Sequence, residues 1–234
     1  MNKKSSIVKK IEKNLENSPK LEIVLSLFKS LLSLSIIGSP ISVLISDFIP
    51  SRRLLRLESF AEELSDEFKE IEEKIDAEFI TTDEFAYLFE QCFKAASENY
   101  QKEKISAFKA ILINATIDKT IIPLEKEFFL NLTKQLTVLH IQILTFLKDP
   151  NAYIKNAGLS EDQIQGSYKH SLPKIFPNID FDTIKIVMDD LNNYGLTNYK
   201  SRQSGGLGLK IGFQFIGDRG TTTFGDKYLR FITL

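Results

Sequence analysis

From Ser30 to Ser46 the chain runs SLLSLSIIGSPISVLIS, 17 residues without a charge, in a protein of which 26% is charged. A helix needs roughly 17–25 apolar residues to cross a hydrocarbon core, so the run sits at the lower edge of that range. Gly38 and Pro40 interrupt it, and serines dilute it. Two placements fit: a helical hairpin buried in a soluble bundle, or a segment that enters lipid conditionally. A run of leucines would commit to membrane and a charged run would exclude it. The side chains that would meet lipid are Leu31, Leu32, Leu34, Ile36, Ile37, Ile41, Val43, Leu44, Ile45 and Phe48. Lys29 precedes the run, and a charge near the midplane costs roughly 2.5–3.5 kcal/mol, so Lys29 has to stay at an end.

The net charge of −1 hides an uneven distribution. Residues 1–20 carry six lysines against two glutamates, residues 51–150 carry 13 basic against 19 acidic side chains, and residues 151–234 carry ten against eight. A basic tip beside an apolar run favours anionic headgroups, by about 1 kcal/mol per cation near the surface; a solubilising helix end reads the same way. Lys9, Lys10, Arg52, Arg53 and Arg56 are the expected headgroup contacts. The three arginines stand at the N-terminal end of a predicted helix, the unfavourable end for a cation. Either lipid phosphate or an acidic neighbouring helix is expected to hold them there.

Apolar spacing places helices over residues 5–16, 20–37 and 41–48, with a break at Gly38-Ser39-Pro40 and a stop before Pro50. From Leu57 the apolar positions continue as Ala61, Leu64, Phe68, Ile71 and Ile75, a heptad seam, with Glu62, Glu63, Asp66, Glu70 and Glu73 opposite. Leu57, Leu64, Phe68, Ile71 and Ile75 are the expected oligomer contacts. Thr82 is placed to cap the next helix, which carries Phe85, Leu88, Phe89, Cys92, Phe93 and Ala96 on one face. Two more helices are predicted over 103–116 and 124–147. Short connections imply antiparallel neighbours in a bundle, and the phenylalanines of 60–146 read as its core.

Asp149-Pro150-Asn151 marks an expected boundary, giving an apolar helical segment over 1–50, a helical bundle over 51–150 and a C-terminal module over 151–234. The module reads as helices over 160–168, 172–176 and 182–194, strands over 196–201 and 209–216, and a closing helix. Three helices and a two-stranded wing are the order of a winged helix. The fold class expected is mainly α, an N-terminal helical bundle followed by a winged-helix-like α+β module. The third helix holds Lys185 against Asp182, Asp189 and Asp190, which disfavours approach to phosphate. The module is therefore expected to bind a partner protein rather than nucleic acid.

No constellation announces a reaction. Cys92, the single cysteine, excludes an internal disulfide and a cysteine-based zinc site and points to a reducing compartment. His140 and His170 have no companion at metal-ligand spacing. Gly205-Gly206-Leu207-Gly208 lacks the lysine and hydroxyl of a phosphate loop and reads as a hairpin turn. A basic then apolar N-terminus is the order of a secretory signal, but no small-x-small cleavage site follows cleanly. The expectation is a non-enzyme without cofactor or metal, cytoplasmic and conditionally at the inner membrane, and homo-oligomeric.

The runs GSPISVLISDFIPSRRLLRLESFAEELSDEF and DEFAYLFEQCFKAASENYQKEKISAFKAILINA resemble a group of small bacterial proteins. Those share an apolar Gly/Pro-containing segment, a basic junction after Ile-Pro, an acidic helix and two further helices. Thr222-Thr223-Phe224-Gly225 and Phe231-Ile232 are similar to elements of the abortive infection alpha group. The resemblance covers about residues 36–234 and implies a setting of bacterial defence against phage; it brings no catalytic residues. Two functional readings follow. In the first, a helical bundle keeps residues 21–49 packed until a trigger releases them to the membrane. In the second, the chain is a cytosolic regulator or adaptor, dimeric through the Leu57–Ile75 seam, whose C-terminal module binds a partner protein or DNA.

Overall fold

The computed structural model describes residues 3–15, 21–37, 48–159, 168–198 and 220–234; within these, the side chains of 3–8, 30–37, 48–51, 54 and 168–171 are not described. The elements are α1 (Lys3–Leu15), α2 (Glu22–Ile37), α3 (Phe48–Glu70), α4 (Asp83–Glu98), α5 (Lys102–Ile117), α6 (Pro123–Gln135), α7 (Val138–Lys148), α8 (Pro150–Asn156), α9 (Tyr168–Ile175), α10 (Phe181–Asn193) and α11 (Thr223–Ile232). Two 3-10 turns, Glu72–Lys74 and Phe79–Thr81, join α3 to α4. The fold is mainly α. Among the described residues there is no strand, only one isolated antiparallel bridge between Thr197 and Thr221. The expected α+β winged-helix module therefore lacks support: most of the two wing strands, residues 199–201 and 209–216, and the turn at 205–208 lie outside the described residues.

The chain divides into two compact units. Unit 1 comprises Met1–Gln135 with Phe231–Leu234, and unit 2 comprises Leu136–Arg230. Asp149 and Pro150, the boundary expected from composition, start α8 inside unit 2: the Asp149 carboxylate accepts the Ala152 N–H at 2.9 Å, and Pro150 occupies the first turn, where no N–H is required.

In unit 1 the sequence period translates directly into a core. α3 packs against α1, α4 and α5, and α4 against α5 and α6. Phe85, Phe89 and Phe93 fall four residues apart on α4, so one face carries a ladder of rings. Phe89 and Phe93 stack at 4.7 Å, and Phe60 of α3 meets Phe93 edge-on at 5.0 Å. Each such ring buries enough surface to contribute about 1.5–3 kcal/mol, with roughly 0.5–1.5 kcal/mol more from ring geometry. On α2, Leu21, Val24, Leu25 and Phe28 are all buried. Phe28 meets Phe89 and Phe93 edge-on at 5.1 and 5.5 Å, which fastens the start of α2 to the ladder.

Three expectations about this region are corrected. α3 runs from Phe48 through Pro50, so the chain is helical on both sides of that proline rather than stopping before it; the rest of the helix expected over 41–48 lies outside the described residues. The heptad seam ends early, because α3 stops at Glu70 and Ile71 and Ile75 fall in the turn beyond it. Leu64, Phe68 and Ile75 are covered within one chain, and Leu57 and Ile71 are half-buried, so the seam is the core of unit 1 and not an exposed face for a second copy.

The helix expected over 124–147 is two helices. Thr137 starts α7 with a reciprocal cap: its side chain accepts the His140 N–H, and the His140 ring accepts the Thr137 N–H at 3.2 Å. In unit 2, α7 packs against α8 and α10. Asp180 caps α10 through the Thr183 N–H at 2.8 Å. Gly195 ends that helix at φ 71°, with the Leu196 N–H reaching back to the Leu191 carbonyl, the closing geometry that favours glycine. Gly225 near the start of α11 has a different constraint: a Cβ there would stand 2.1 Å from the Leu196 carbonyl oxygen.

Candidate functional site

The uncharged run begins two residues after Phe28, the last side chain of α2 described as buried. Leu31, Leu32, Leu34, Ile36 and Ile37 lie on the backbone of α2, and Phe48 opens α3; their side chains are not described. Ile41, Val43, Leu44 and Ile45 lie outside the described residues. α2 has 16 residues, about 24 Å at the rise of an α-helix, against a hydrocarbon thickness of about 30 Å. No helix among the described residues is long and apolar enough to cross a membrane.

α1 and α2 form a hairpin tied by Lys29, whose ammonium lies 3.1 Å from the Glu12 carboxylate. Continuing that register outward at equal rise per residue sets Lys4 level with Ile37. The lysine-rich start of α1 and the uncharged half of α2 therefore share one end of the hairpin. Ten residues separate Ile37 from the first described residue of α3, Phe48, and Arg52 and Arg53 are exposed on that helix. Cations thus stand on both sides of residues 38–47.

Lys9, Arg52 and Arg53 are exposed. Lys10 is also exposed, but it is paired with Glu62, which raises its pKa, and lies 3.3 Å from Asp66. Asn14, one turn on, donates to Asp66 at 2.7 Å and to Ser65 at 3.2 Å. Arg56 donates through Nε and Nη2 to the Ser97 carbonyl at 3.0 and 2.8 Å. That carbonyl is in the last turn of α4, where a cation is favoured. Arg56 is thus explained neither by lipid nor by an acidic side chain: it serves the negative end of the helix packed beside its own. In this structure Lys10 and Arg56 are held by protein partners.

Sequence reasoning placed Glu62 and Asp66 opposite the heptad seam, gave them no partner, and missed Asn14 altogether. Their spacing of four residues places both acids on one side of α3, which is the only signal that a cation of another helix could bind there.

Two lysines are buried, and the first follows the same logic as Arg56. Lys104 donates to the carbonyls of Thr133 and Lys134 in the last turn of α6. Burial pushes its pKa down to about 8. Lys126 is 6% exposed; it lies 3.1 Å from Glu84 and 3.7 Å from the centre of the Phe79 ring, an ion pair and a cation–π contact on one ammonium. Both are structural cations, enclosed on helices of the core.

His140 stands between two oxygen groups. The Thr137 hydroxyl is 2.7 Å from Nδ1, and Asp190 Oδ2 is 3.5 Å from Nε2. Hydroxyl, imidazole and carboxylate in series resemble a nucleophilic relay, but Nδ1 already accepts the Thr137 N–H and the hydroxyl already accepts the His140 N–H. The trio starts α7 and joins it to α10. Burial pushes the Cys92 thiol well above its usual range, which keeps it protonated. Among the described residues, no group of three or more His, Cys, Asp or Glu side chains is placed to hold a metal ion. Comparison with family models, curated proteins and solved structures gave no match.

Proposed function

We propose that this chain is a bacterial anti-phage protein of the abortive-infection kind, an effector or sensor whose α1–α2 hairpin and following segment engage the membrane conditionally. The observation that carries the reading is the bracketing of residues 38–47: the uncharged half of α2 leads in, the lysines of α1 share its end, and Arg52 and Arg53 lead out. An apolar stretch flanked by exposed cations suits the boundary between acyl chains and anionic headgroups. The defence setting comes from the resemblance described above.

Sedimentation with vesicles tests the reading. The intact chain is expected to pellet with phosphatidylglycerol-containing vesicles and not with phosphatidylcholine alone. Ile37→Asp, and separately Arg52→Glu with Arg53→Glu, should abolish pelleting while helicity is unchanged. Failure of the intact chain to bind any vesicle overturns the membrane reading. Equal phage plaque counts with and without expression of the chain overturn the defence reading.

A second reading rests on α10, where Ile186 is 61% exposed beside the exposed Asp182 and Lys185. An apolar side chain in a charged rim suits a protein partner better than phosphate, and a winged-helix-like or other adaptor role for 151–234 would use it. Loss of a captured partner on Ile186→Asp, with vesicle binding intact, would favour that role.

A further inference from the structure

We infer that α1 is an autoinhibitory latch: Lys10 and Asn14, seated on Glu62, Ser65 and Asp66 of α3, hold the α1–α2 hairpin against unit 1, and an anionic surface releases it by competing for the cation. This rests on the membrane reading above and adds its regulation.

The latch is the polar part of the contact between α1 and α3. The described buried side chains of α1 are Ile11 and Leu15, one turn apart, and α1 packs against α3 and α2. Every described polar contact from α1 to α3 falls on one turn of α3, within Glu62, Ser65 and Asp66. Lys10 is exposed, so its pairing is screened by salt and open to exchange. A phosphate-rich surface offers the same ammonium an equivalent partner. Lys29 pairs with Glu12 of α1 rather than with α3, so α1 and α2 leave as one piece. On leaving, the hairpin carries Leu21, Val24, Leu25 and Phe28, apolar side chains that an acyl layer accepts as readily as the protein core does.

The arrangement also fixes the sign of two salt effects. Salt screens the Lys10 pairs and therefore loosens the hairpin, while the same salt screens attraction to a charged surface and therefore weakens vesicle binding. A hairpin that merely belongs to the core would show the second effect without the first.

Two measurements on the full chain separate the latch from the reading beneath it. The first needs no lipid. Hydrogen exchange of α1 and α2 amides is expected to accelerate about two- to fivefold in Lys10→Glu and in 1 M salt, with α4 and α5 unchanged. Restoring the pair in reverse, Lys10→Glu with Glu62→Lys and Asp66→Lys, should return the wild-type rate. Exchange in α1 and α2 that is indifferent to all of these overturns the latch whatever the chain does with membranes.

The second uses Asn14→Cys with Ser65→Cys, whose parent side chains lie 3.2 Å apart. The reduced protein should pellet with phosphatidylglycerol-containing vesicles, the oxidised protein should not, and reductant should restore binding. Equal binding of both forms overturns the latch and leaves the membrane reading standing. Absence of binding in the reduced and wild-type proteins overturns the membrane reading, and with it the release by lipid.

Discussion

The α1–α2 hairpin and the α4–α6 layer of unit 1 bury the same kinds of apolar side chain, yet they hold their charges in opposite ways. Lys10, Glu62 and Asp66 meet at the surface of the hairpin contact, where water and salt compete for each of them. Lys104 and Lys126 are enclosed in the layer, one against the carbonyls that end α6, the other between Glu84 and Phe79. An exposed pair contributes little and can be exchanged for another partner. An enclosed cation cannot leave without orphaning a carbonyl or a carboxylate. The difference separates a part of the fold that can be retuned from a part that sets global stability.

That contrast can be broken at its strongest point with two phenylalanines. Phe28 and Phe89 are both fully buried and touch each other. Phe89→Ala should lower global stability by about 3–5 kcal/mol in chemical denaturation. Phe28→Ala should cost less globally, because detachment of the hairpin limits the loss, and should instead raise hydrogen exchange in α1 and α2, with α4 and α5 unchanged. Equal global losses would mean that the hairpin is simply more core.

A smaller effect is expected at Lys104. Lys104→Met leaves the Thr133 and Lys134 carbonyls without their donor, a loss of about 1–2 kcal/mol at pH 7. The pH dependence sharpens the test. The ammonium titrates at about 8 in the fold and at 10.5 as an ordinary lysine. Below pH 8 both states hold the proton, and the fold carries the full penalty of an enclosed charge. Between pH 8 and 10.5 the unfolded chain binds more protons, so wild-type stability rises with pH. The gap between wild type and Lys104→Met should therefore widen across that window, measured as paired denaturant midpoints. A constant gap would show that burial does not set the titration of Lys104.

Thr82→Ala removes the oxygen that accepts the Phe85 N–H at 3.2 Å and should cost about 1 kcal/mol. The smallest global effect belongs to Lys10→Glu: its denaturation midpoint should shift slightly or not at all, even though α1 and α2 exchange faster. A large shift would place α1 with the enclosed layer and erase the contrast.

The ends of the helices show why some of this was legible in the sequence and some was not. A helix start is capped from within a few residues, so Thr82 before Phe85 and Asp180 before Thr183 could be read from the chain alone. Helix ends here take donors from far away. Arg56 reaches Ser97 over 41 residues, and Lys104 reaches Thr133 over 29. No local pattern encodes such a pairing, which is why Arg56 looked like a cation at the wrong end of its own helix. The break between α6 and α7 was hidden for another reason. Leu132, Leu136, Leu139 and Ile143 keep a helical period straight through it, and the reciprocal cap uses histidine in the place where glutamate or glutamine is usual. The seam from Leu57 to Ile75 misled in a similar way, because a period of four and three is the same whether the covering helix belongs to this chain or to another. For the cationic site, the composition of residues 30–46 was plain in the sequence, whereas the register that brings the start of α1 level with Ile37 depends on the Glu12–Lys29 pair.

The Asn114 side chain donates to the carbonyls of Phe231 and Thr233 at 3.0 Å, and Phe129 meets Phe231 at 5.7 Å. The first of these contacts spans 117 residues. During synthesis, then, α1–α6 emerge first but cannot finish their own unit, because its last residues follow all of unit 2. At about 5–20 residues per second that wait lasts roughly 5–20 s, far longer than a small helical domain needs to collapse. Throughout it the Phe129 ring and the Asn114 amide face solvent or a chaperone. A ribosome-bound chain of residues 1–150 followed by a tunnel-filling linker should therefore be more easily cut by protease within α5 and α6 than a chain of residues 1–234 followed by the same linker.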